Sequence, residues 1–328
     1  MILGIESTAH TFGIGIVDKG KIFCNVREMY TTETGGIIPM DSAKHHKEIS
    51  EDAWKRALME AKVSEGEITA IAFSQAPGLA PCLIEGMKFA KKKAIELNLP
   101  LIPVNHCVAH LEIGGITGAK DPVLLYASGA NTQIIAYEGE KYRVFGETLD
   151  IGVGNFIDNF ARYLGMGFPG GPRVQELAKR GEYVELPYRL KGMDVAFSGI
   201  LTKLKQMKES KKYSDEDLCF SLQETVFAML VEASERALAH TGKKELLLGG
   251  GVACNSRLQE MCRIMCEERG CKFFVPERPL LVDNGAMIAY LGEIMWKKNL
   301  FVEGKYIEKV DIDARERTDM VDVRWRKE

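Results

Sequence analysis

The stretch Ile2-Leu-Gly-Ile-Glu-Ser-Thr-Ala-His-Thr-Phe-Gly-Ile-Gly-Ile-Val17 decides the fold. Ile2 to Glu6 reads as a strand, Ser7-Thr8-Ala9-His10 as a polar turn, and Thr11 to Val17 as a second strand. Asp18-Lys19-Gly20 turns the chain again, into a third strand from Lys21 to Arg27. A helix is predicted from about Ser42 to Ala61, with Ile49, Ala53, Ala57 and Leu58 on its apolar face. A buried strand (Ile68 to Phe73), a helix (about Ala80 to Leu97), a short strand (Leu99 to Val104) and a helix opening near His106 follow. The unit is β-β-β-α-β-α-β-α.

The same order returns from residue 122. Val123 to Ala127, the turn Ser128-Gly-Ala-Asn131 and Thr132 to Tyr137 form a hairpin, Lys141 to Thr148 a third strand, and Val153 to Leu164 a helix. Residues 167–212 interrupt the pattern and are expected to place loops and a helix over a cleft. A helix (Asp215 to His240), a strand (Glu245 to Leu248), a helix (Cys254 to Arg269), a strand (Lys272 to Val275) and a helix (Asn284 to Lys297) complete it. Two copies of one unit predict an α/β protein with two similar lobes, 1–118 and 119–299, facing a central cleft. Residues 300–328 are expected to pack back on the first lobe.

With 328 residues, the chain is long enough for such a pair of lobes. A net charge of −3 gives no global attraction to nucleic acid, so RNA binding needs a local basic patch or a partner. No apolar run approaches the roughly 20 residues of a membrane span, and the first residues lack a secretory pattern. A cytoplasmic protein is expected. The eight cysteines are scattered without a C-x-x-C pair. Cys262 and Cys266 lie four apart on a predicted helix and could share a metal, although buried thiols in a reducing cytosol are the plainer reading.

His106-Cys-Val-Ala-His110 holds two of the six histidines at a spacing that puts both on one helix face. The pair is compatible with one metal ion, although on its own a structural or surface pair is the plainer reading. Ser7-Thr8 and Ser128–Thr132 sit at hairpin tips, where successive amides can form anion nests. Leu246-Leu-Leu-Gly-Gly-Gly-Val252 runs from a strand through glycines toward a helix, a second way of meeting phosphate. Each segment also reads as a plain turn. A two-lobed fold would bring all three to one cleft.

That arrangement resembles the actin/Hsp70/sugar-kinase superfamily, with RNase H-like lobes around a nucleotide cleft. ATP-cleaving members carry an aspartate at the first turn, where this chain has Glu6 followed by Ser7. The segments Gly4–His10, Gly35-Gly-Ile-Ile-Pro39 with His45-His46, Asn105–His110 and Tyr126–Thr132 narrow the resemblance. So do Gly152–Asp158, Gly170-Gly-Pro172, Phe197-Ser-Gly199, Gly249–Asn255 and Asp283-Asn-Gly285. Together they resemble the universal threonylcarbamoyl-transferase family, TsaD in bacteria, in its archaeal and eukaryotic branch, the catalytic subunit of the KEOPS complex.

The resemblance implies transfer of a threonylcarbamoyl group from its adenylate to the adenine 3′ of the anticodon in tRNAs reading ANN codons. It implies His106, His110 and Asp283 as metal ligands, with Tyr126 a candidate fourth. Read alone, Asp283 suits the N-cap of the helix that follows it, and Tyr126 a packed aromatic. A His₂-carboxylate set suits Fe(II), the first choice here, or Zn(II). For the adenylate the resemblance implies Tyr126, Ala127, Ser128, Gly129, Ala130, Asp158, Gly171, Gln175 and Asn255. Gln175 stands where many members have a ribose-binding glutamate, which removes a charge-assisted bond. Implied partners are tRNA and the KEOPS subunits: a kinase-like ATPase, a small dimerising protein and an accessory protein. Lys91-Lys-Lys93 and the lysines from Lys203 to Lys212 are basic stretches that also read as solvated helix faces.

Two rivals remain. A metal-dependent endopeptidase would be expected to carry H-E-x-x-H, and here Cys107 follows His106 with no glutamate before His110. An ATP-binding chaperone-like or sugar-kinase-like module would fit the turns and leave the His₂Asp set unexplained.

Overall fold

Every residue from Ile2 to Glu6 is buried, because this strand lies at the centre of a sheet covered on both faces. The computed structural model describes residues 1–32 and 38–326. Residues 35–37 of the Gly35–Pro39 segment therefore lie outside the described residues. Strands β1 (Ile2–Glu6), β2 (Thr11–Asp18) and β3 (Lys21–Met29) form an antiparallel meander. Helix α1 (Pro39–Ala61), β4 (Ala70–Ala76), α2 (Ala80–Glu96), β5 (Leu101–Asn105) and α3 (His106–Glu112) follow, and β4 and β5 join in parallel. The strand order is β3-β2-β1-β4-β5.

The second half repeats this topology. Strands β6 (Val123–Ala127), β7 (Thr132–Glu138) and β8 (Lys141–Glu147) form the meander, and α4 (Val153–Tyr163) follows. The interruption holds two helices, α5 (Gly171–Ala178) and α6 (Ser198–Glu209), rather than the single expected one. A small hairpin of β9 (Leu190–Lys191) and β10 (Asp194–Val195) lies between them. Then come α7 (Asp215–Thr241), β11 (Glu245–Gly249), α8 (Ser256–Glu268), β12 (Lys272–Phe274), α9 (Arg278–Leu281) and α10 (Gly285–Lys297). The order β12-β11-β6-β7-β8 mirrors that of the first sheet. Helix α8 starts later than the expected Cys254, because residues 251–254 form a 3₁₀ turn and Asn255 caps the helix.

Side-chain period along β1 and β2 sorts the core into layers. Leu3, Ile5, Phe12, Ile14 and Ile16 pack outward with Ala53, Trp54 and Ala57 of α1 and Phe89 of α2. The opposite face carries Gly4, Glu6, Gly13 and Gly15. Ile2 joins a middle layer with Val104, Val108 of α3, Leu124, Tyr126, Leu247 and Met287 of α10, so α3 and α10 lie between residues of both sheets. A third cluster gathers Leu125, Phe156, Phe160, Phe227 and Leu248 beneath the second sheet.

Helix α10 follows the last strand of the second sheet yet seats on the first. A Cβ on Gly4 would lie 2.2 Å from the Ala289 nitrogen, one on Gly15 2.3 Å from that of Ala286, and one on Gly285 2.3 Å from that of Gly15. Backbone meets backbone there, and the contact fixes the segment just before α10. Gly15→Ala should push the helix off the sheet and cost about 2 kcal/mol of stability, in the range of overpacked cores. A midpoint shift in urea measures it, and an unchanged midpoint would refute this seating.

Candidate metal centre and nucleotide cleft

Helix α3 begins where β5 ends, with Asn105 as its N-cap: the side-chain oxygen accepts from Val108 N at 3.1 Å. One turn separates His106 from His110, so both rings share a face, with centroids 4.7 Å apart. Both Nε2 atoms point at one oxygen of Asp283, 3.4 Å from His106 and 3.3 Å from His110. Three donors, one from each residue, lie within 4.8 Å of one another.

Asp283 is free for this because it does not cap α10. Asn284 does, accepting from Met287 N at 3.0 Å. The capping role read from the sequence thus falls one residue later. A carboxylate pointed at two buried imidazoles has a strong electrostatic effect. Burial would raise the Asp283 pKa, but the two histidines hold it well below the usual carboxylate range. Burial would lower the pKa of His106, and the carboxylates of Glu6 and Asp283 override it and push it well up. For His110 burial prevails over Asp283, and the pKa falls.

Glu6 was read only as a departure from an ATPase pattern. In the fold it is fully buried, and its Oε2 lies 2.9 Å from His106 Nδ1. Its other oxygen accepts from Thr8 N at 2.7 Å and from the Thr8 hydroxyl at 2.5 Å. A proton on His106 Nδ1 donated to Glu6 leaves the Nε2 lone pair directed at the site, the orientation metal-ligating histidines take from an outer carboxylate. A lone acidic residue closing an apolar strand was the available signal, since a buried carboxylate requires partners.

The residues fit a divalent cation. Ligands about 2.1 Å from a tetrahedral ion stand about 3.4 Å apart, the spacing found between Asp283 and both imidazoles. The buried Nδ1 of His110 has no hydrogen-bond partner among the described residues. The Tyr126 ring lies 5.0 Å from the His110 ring, fully enclosed. Burial, with Cys107 and Asp283 nearby, raises its phenol pKa well above the ordinary value. Cys262 and Cys266 lie in the core of the second lobe, away from this set, with burial raising both thiol pKa values.

Tyr126 ends on the turn that the sequence singled out. The Ser128–Asn131 turn closes on itself through Ser128 N to Asn131 O at 2.9 Å. Gly154 N donates to Ser128 O at 3.0 Å, and Asn155 N to Gly129 O at 2.9 Å, joining the turn to the start of α4. On the other side Gly250, at φ +89°, would put a Cβ 2.4 Å from the Ala127 carbonyl. Only glycine lets these segments approach so closely. The turn after β6 and the glycines after β11 therefore meet beside the histidines.

The first hairpin tip is a plain turn rather than an open anion nest, the plainer of its two sequence readings. Ser7 N is taken by Ser74 Oγ at 2.9 Å and Thr8 N by Glu6. The Ala9 carbonyl accepts from Ser42 Oγ at 2.7 Å and from His46 Nε2 at 3.0 Å. Burial lowers the His46 pKa from 6.5 to about 4. The unfolded chain then binds the extra proton below pH 6.5, and the folded one only near 4. His46 should cost the fold up to about 3 kcal/mol as pH falls through that window. Urea unfolding of wild type and His46→Gln at pH 7 and pH 4.5 tests this: the difference should shrink in the variant, and equal pH slopes would contradict it.

In the second lobe, between α5, α7 and α8, a cavity of about 520 Å³ is lined by residues that include Gln175, Gln223, Glu224, Phe220, Ser256 and Arg257. Its size suits a nucleoside. Gln175 Nε2 donates to Ser256 Oγ at 2.8 Å, while neighbouring Glu176 turns away to Lys179 at 2.6 Å. Asn255 caps α8 through Arg257 N at 2.9 Å and donates to Gln223 at 2.8 Å. Asp158 and Gly171 do not line this cavity: Asp158 accepts from Gly170 N at 2.7 Å, just before α5. Burial raises the Asp158 pKa. Phe168 from the interruption meets His10 of the first lobe edge-on at 5.6 Å. The lysines at 91–93 are committed within the fold, Lys91 to Glu308 O at 3.0 Å, Lys92 and Lys93 to Glu51 at 2.6 and 2.9 Å.

The sequence model of the family described as tRNA N6-adenosine threonylcarbamoyltransferase, TsaD, matches residues 21–290. The chain belongs to this family. A relative of that name from Thermococcus sibiricus is 54% identical over 324 residues, covering 98% of this chain and 99% of the relative. One from Thermococcus kodakarensis is 53% identical over the same shares. A Methanosarcina mazei relative named "Probable bifunctional tRNA threonylcarbamoyladenosine biosynthesis protein" is 50% identical, and this chain spans 60% of it. The family's reaction makes the chain a transferase acting on N6 of a tRNA adenosine. Among solved structures, full-length HypF in its phosphate- and nucleotide-bound form superposes with TM-score 0.62 at 12% identity, covering 92% of this chain and 56% of HypF. The activator of 2-hydroxyisocaproyl-CoA dehydratase from Clostridium difficile superposes at 0.55 with 10% identity, over 92% of this chain and 98% of the activator. These likenesses give the fold. No helix among the described residues is long and apolar enough to cross a membrane.

Proposed function

We propose that this chain moves the threonylcarbamoyl group from threonylcarbamoyl-adenylate to the adenine 3′ of the anticodon in ANN-reading tRNAs, in the cytoplasm and within a KEOPS assembly. The two lobes, 1–118 and 119–299, frame the cleft in which this happens. One observation carries the reading: His106, His110 and Asp283 converge beside a phosphate-type turn, with two residues of chain between Tyr126 and Gly129.

A divalent cation, Fe(II) or Zn(II), held by His106, His110 and Asp283, with Tyr126 within reach, would supply Lewis-acid polarisation of the reacting carbonyl. The chain's own residues do the rest. Glu6 holds His106 in the tautomer that leaves Nε2 free. With Ser128 N already given to Asn131 O, the turn would offer the adenylate phosphate the backbone amides of Gly129 and Ala130, which favour a leaving group that gains charge. Gln175 lines the cavity proposed for adenosine, Asn255 holds its lining residue Gln223, and Asp158 and Gly171, where α4 meets the start of α5, are proposed to meet the adenylate outside that cavity. Two proteins of this fold, HypF and the dehydratase activator, were solved with nucleotide bound.

Peptide hydrolysis fits less well. A water-activating carboxylate needs a free oxygen, and both oxygens of Glu6, the glutamate at this site, are already engaged. A kinase-like or chaperone-like module leaves the three converging donors without a task. Reconstitution of the chain with threonylcarbamoyl-adenylate and an ANN-reading tRNA, with and without the three partner subunits, tests the proposal. Modified adenosine should form and should increase with the partners; none under either condition would end this reading.

A further inference from the structure

The segment after α10 carries no periodic pattern, yet several of its side chains are buried. Leu101 and Val302 exchange both backbone hydrogen bonds at 2.8 Å, joining the segment to β5. Gln75 Nε2 donates to the Asp311 carbonyl at 2.6 Å, and Asp313 N to the Gln75 carbonyl at 3.2 Å. The chain then reaches α3. Asn105, the cap of that helix, donates through Nδ2 to Glu316 at 2.8 Å. Thr318, two residues on, is buried.

At the other end of α3 stands Glu112, two residues past His110 and buried. Trp325 Nε1 donates to its Oε1 at 2.7 Å. Arg326 donates to the same carboxylate with a two-pronged grip, Nε to Oε1 at 3.0 Å and Nη2 to Oε2 at 3.1 Å. The Tyr142 hydroxyl of the second sheet closes the set on Oε1. The guanidinium lies 5.1 Å over the Tyr137 ring and 5.5 Å over that of Tyr142. Arg317 reaches Glu147 of β8 at 3.6 Å.

Helix α3 has only seven residues, all buried. A helix so short has no stability of its own and takes its rigidity from what holds its ends. We infer that residues 316–326 act as a splint for α3, with Glu316, Trp325 and Arg326 as positioning residues that fix the spacing of His106 and His110. The consequence for metal rests on the reading of those histidines as ligands. The consequence for the helix does not. Bidentate arginine–carboxylate pairs in buried settings are geometrically demanding, so this contact can set the helix axis as well as anchor it.

The test uses the full chain with Zn(II) bound and three variants, Trp325→Phe, Arg326→Ala and Arg326→Lys. Release of Zn(II) to a coloured chelator is followed beside amide hydrogen exchange across α3 and β11. In Trp325→Phe and Arg326→Ala, amides 108–111 should exchange about tenfold faster, β11 should stay at its wild-type rate, and Zn(II) should leave about tenfold faster. Arg326→Lys should recover part of both. If Arg326→Ala fails to fold, Trp325→Phe, which keeps its ring, carries the test. Wild-type exchange in α3, or equal acceleration in α3 and β11, would overturn the splint, as would faster α3 exchange with unaltered release of bound Zn(II). Faster α3 exchange confined to that helix, in a wild-type chain that holds no Zn(II), would uphold the splint and count against the ligand reading instead.

Discussion

Asp283→Ala is expected to lower threonylcarbamoyl transfer by about a thousandfold or more. The carboxylate is the one anionic donor of the proposed set and stands 3.3 and 3.4 Å from the two imidazole nitrogens. Its loss leaves two neutral ligands on one helix face, a weak holder for a cation that must also stay open to substrate. Lewis-acid polarisation contributes several kcal/mol of barrier lowering, and about 4 kcal/mol corresponds to about a thousandfold in rate. Since Asn284 caps α10, the fold should survive the change, and thermal unfolding would show it. Single-turnover transfer from preformed adenylate reads the effect. A folded variant with wild-type turnover would remove Asp283 from the mechanism.

Glu6→Gln should be nearly as damaging, by a different route. The native carboxylate accepts on both oxygens, from Thr8 on one side and from His106 Nδ1 on the other. An amide has one acceptor oxygen, so its NH₂ must face one of these donors. If the oxygen stays with the two Thr8 donors, His106 is driven to the tautomer with its proton on Nε2, where the lone pair is needed. Metal affinity should fall by about a hundredfold, the upper range for loss of an outer-shell partner. Competition with a chelator of known affinity measures it. An affinity within twofold of wild type would mean that Glu6 does not set the tautomer.

The doubled β-β-β-α-β-α-β-α order was legible because alternation and turn residues are local signals, and both sheets follow it strand for strand. Which layer a helix joins is not local. Nothing in the apolar pattern of Gly285–Lys297 says that it crosses to the first sheet, where Gly4 of β1 and Gly13 and Gly15 of β2, on one sheet face, let the backbones meet. The His106–His110 pair was readable as a spacing, and its meaning was not. Asp283 looked like a cap because Asp-Asn-Gly offers two capping residues, and only packing decides which one turns inward. The Ser7–Thr8 tip looked like an anion nest because hydroxyl-rich turns do, while the partners of its amides, Ser74 and Glu6, depend on the folded strands. For the segment from Glu316 to Arg326 the sequence offered only packing back on the first lobe and no partners, since it binds through single side chains rather than a periodic face.

The central claim is that His106, His110 and Asp283 hold a catalytically required cation. Its most direct test is to measure metal content and transfer rate on the same preparation, before stripping with chelator, after it, and after adding back Fe(II) or Zn(II), for wild type and His110→Ala. The account predicts about one metal per wild-type chain, transfer that disappears and returns with it, and a variant low in both that added metal does not restore. Full transfer by the stripped wild-type chain, or by His110→Ala at normal metal content, would contradict it.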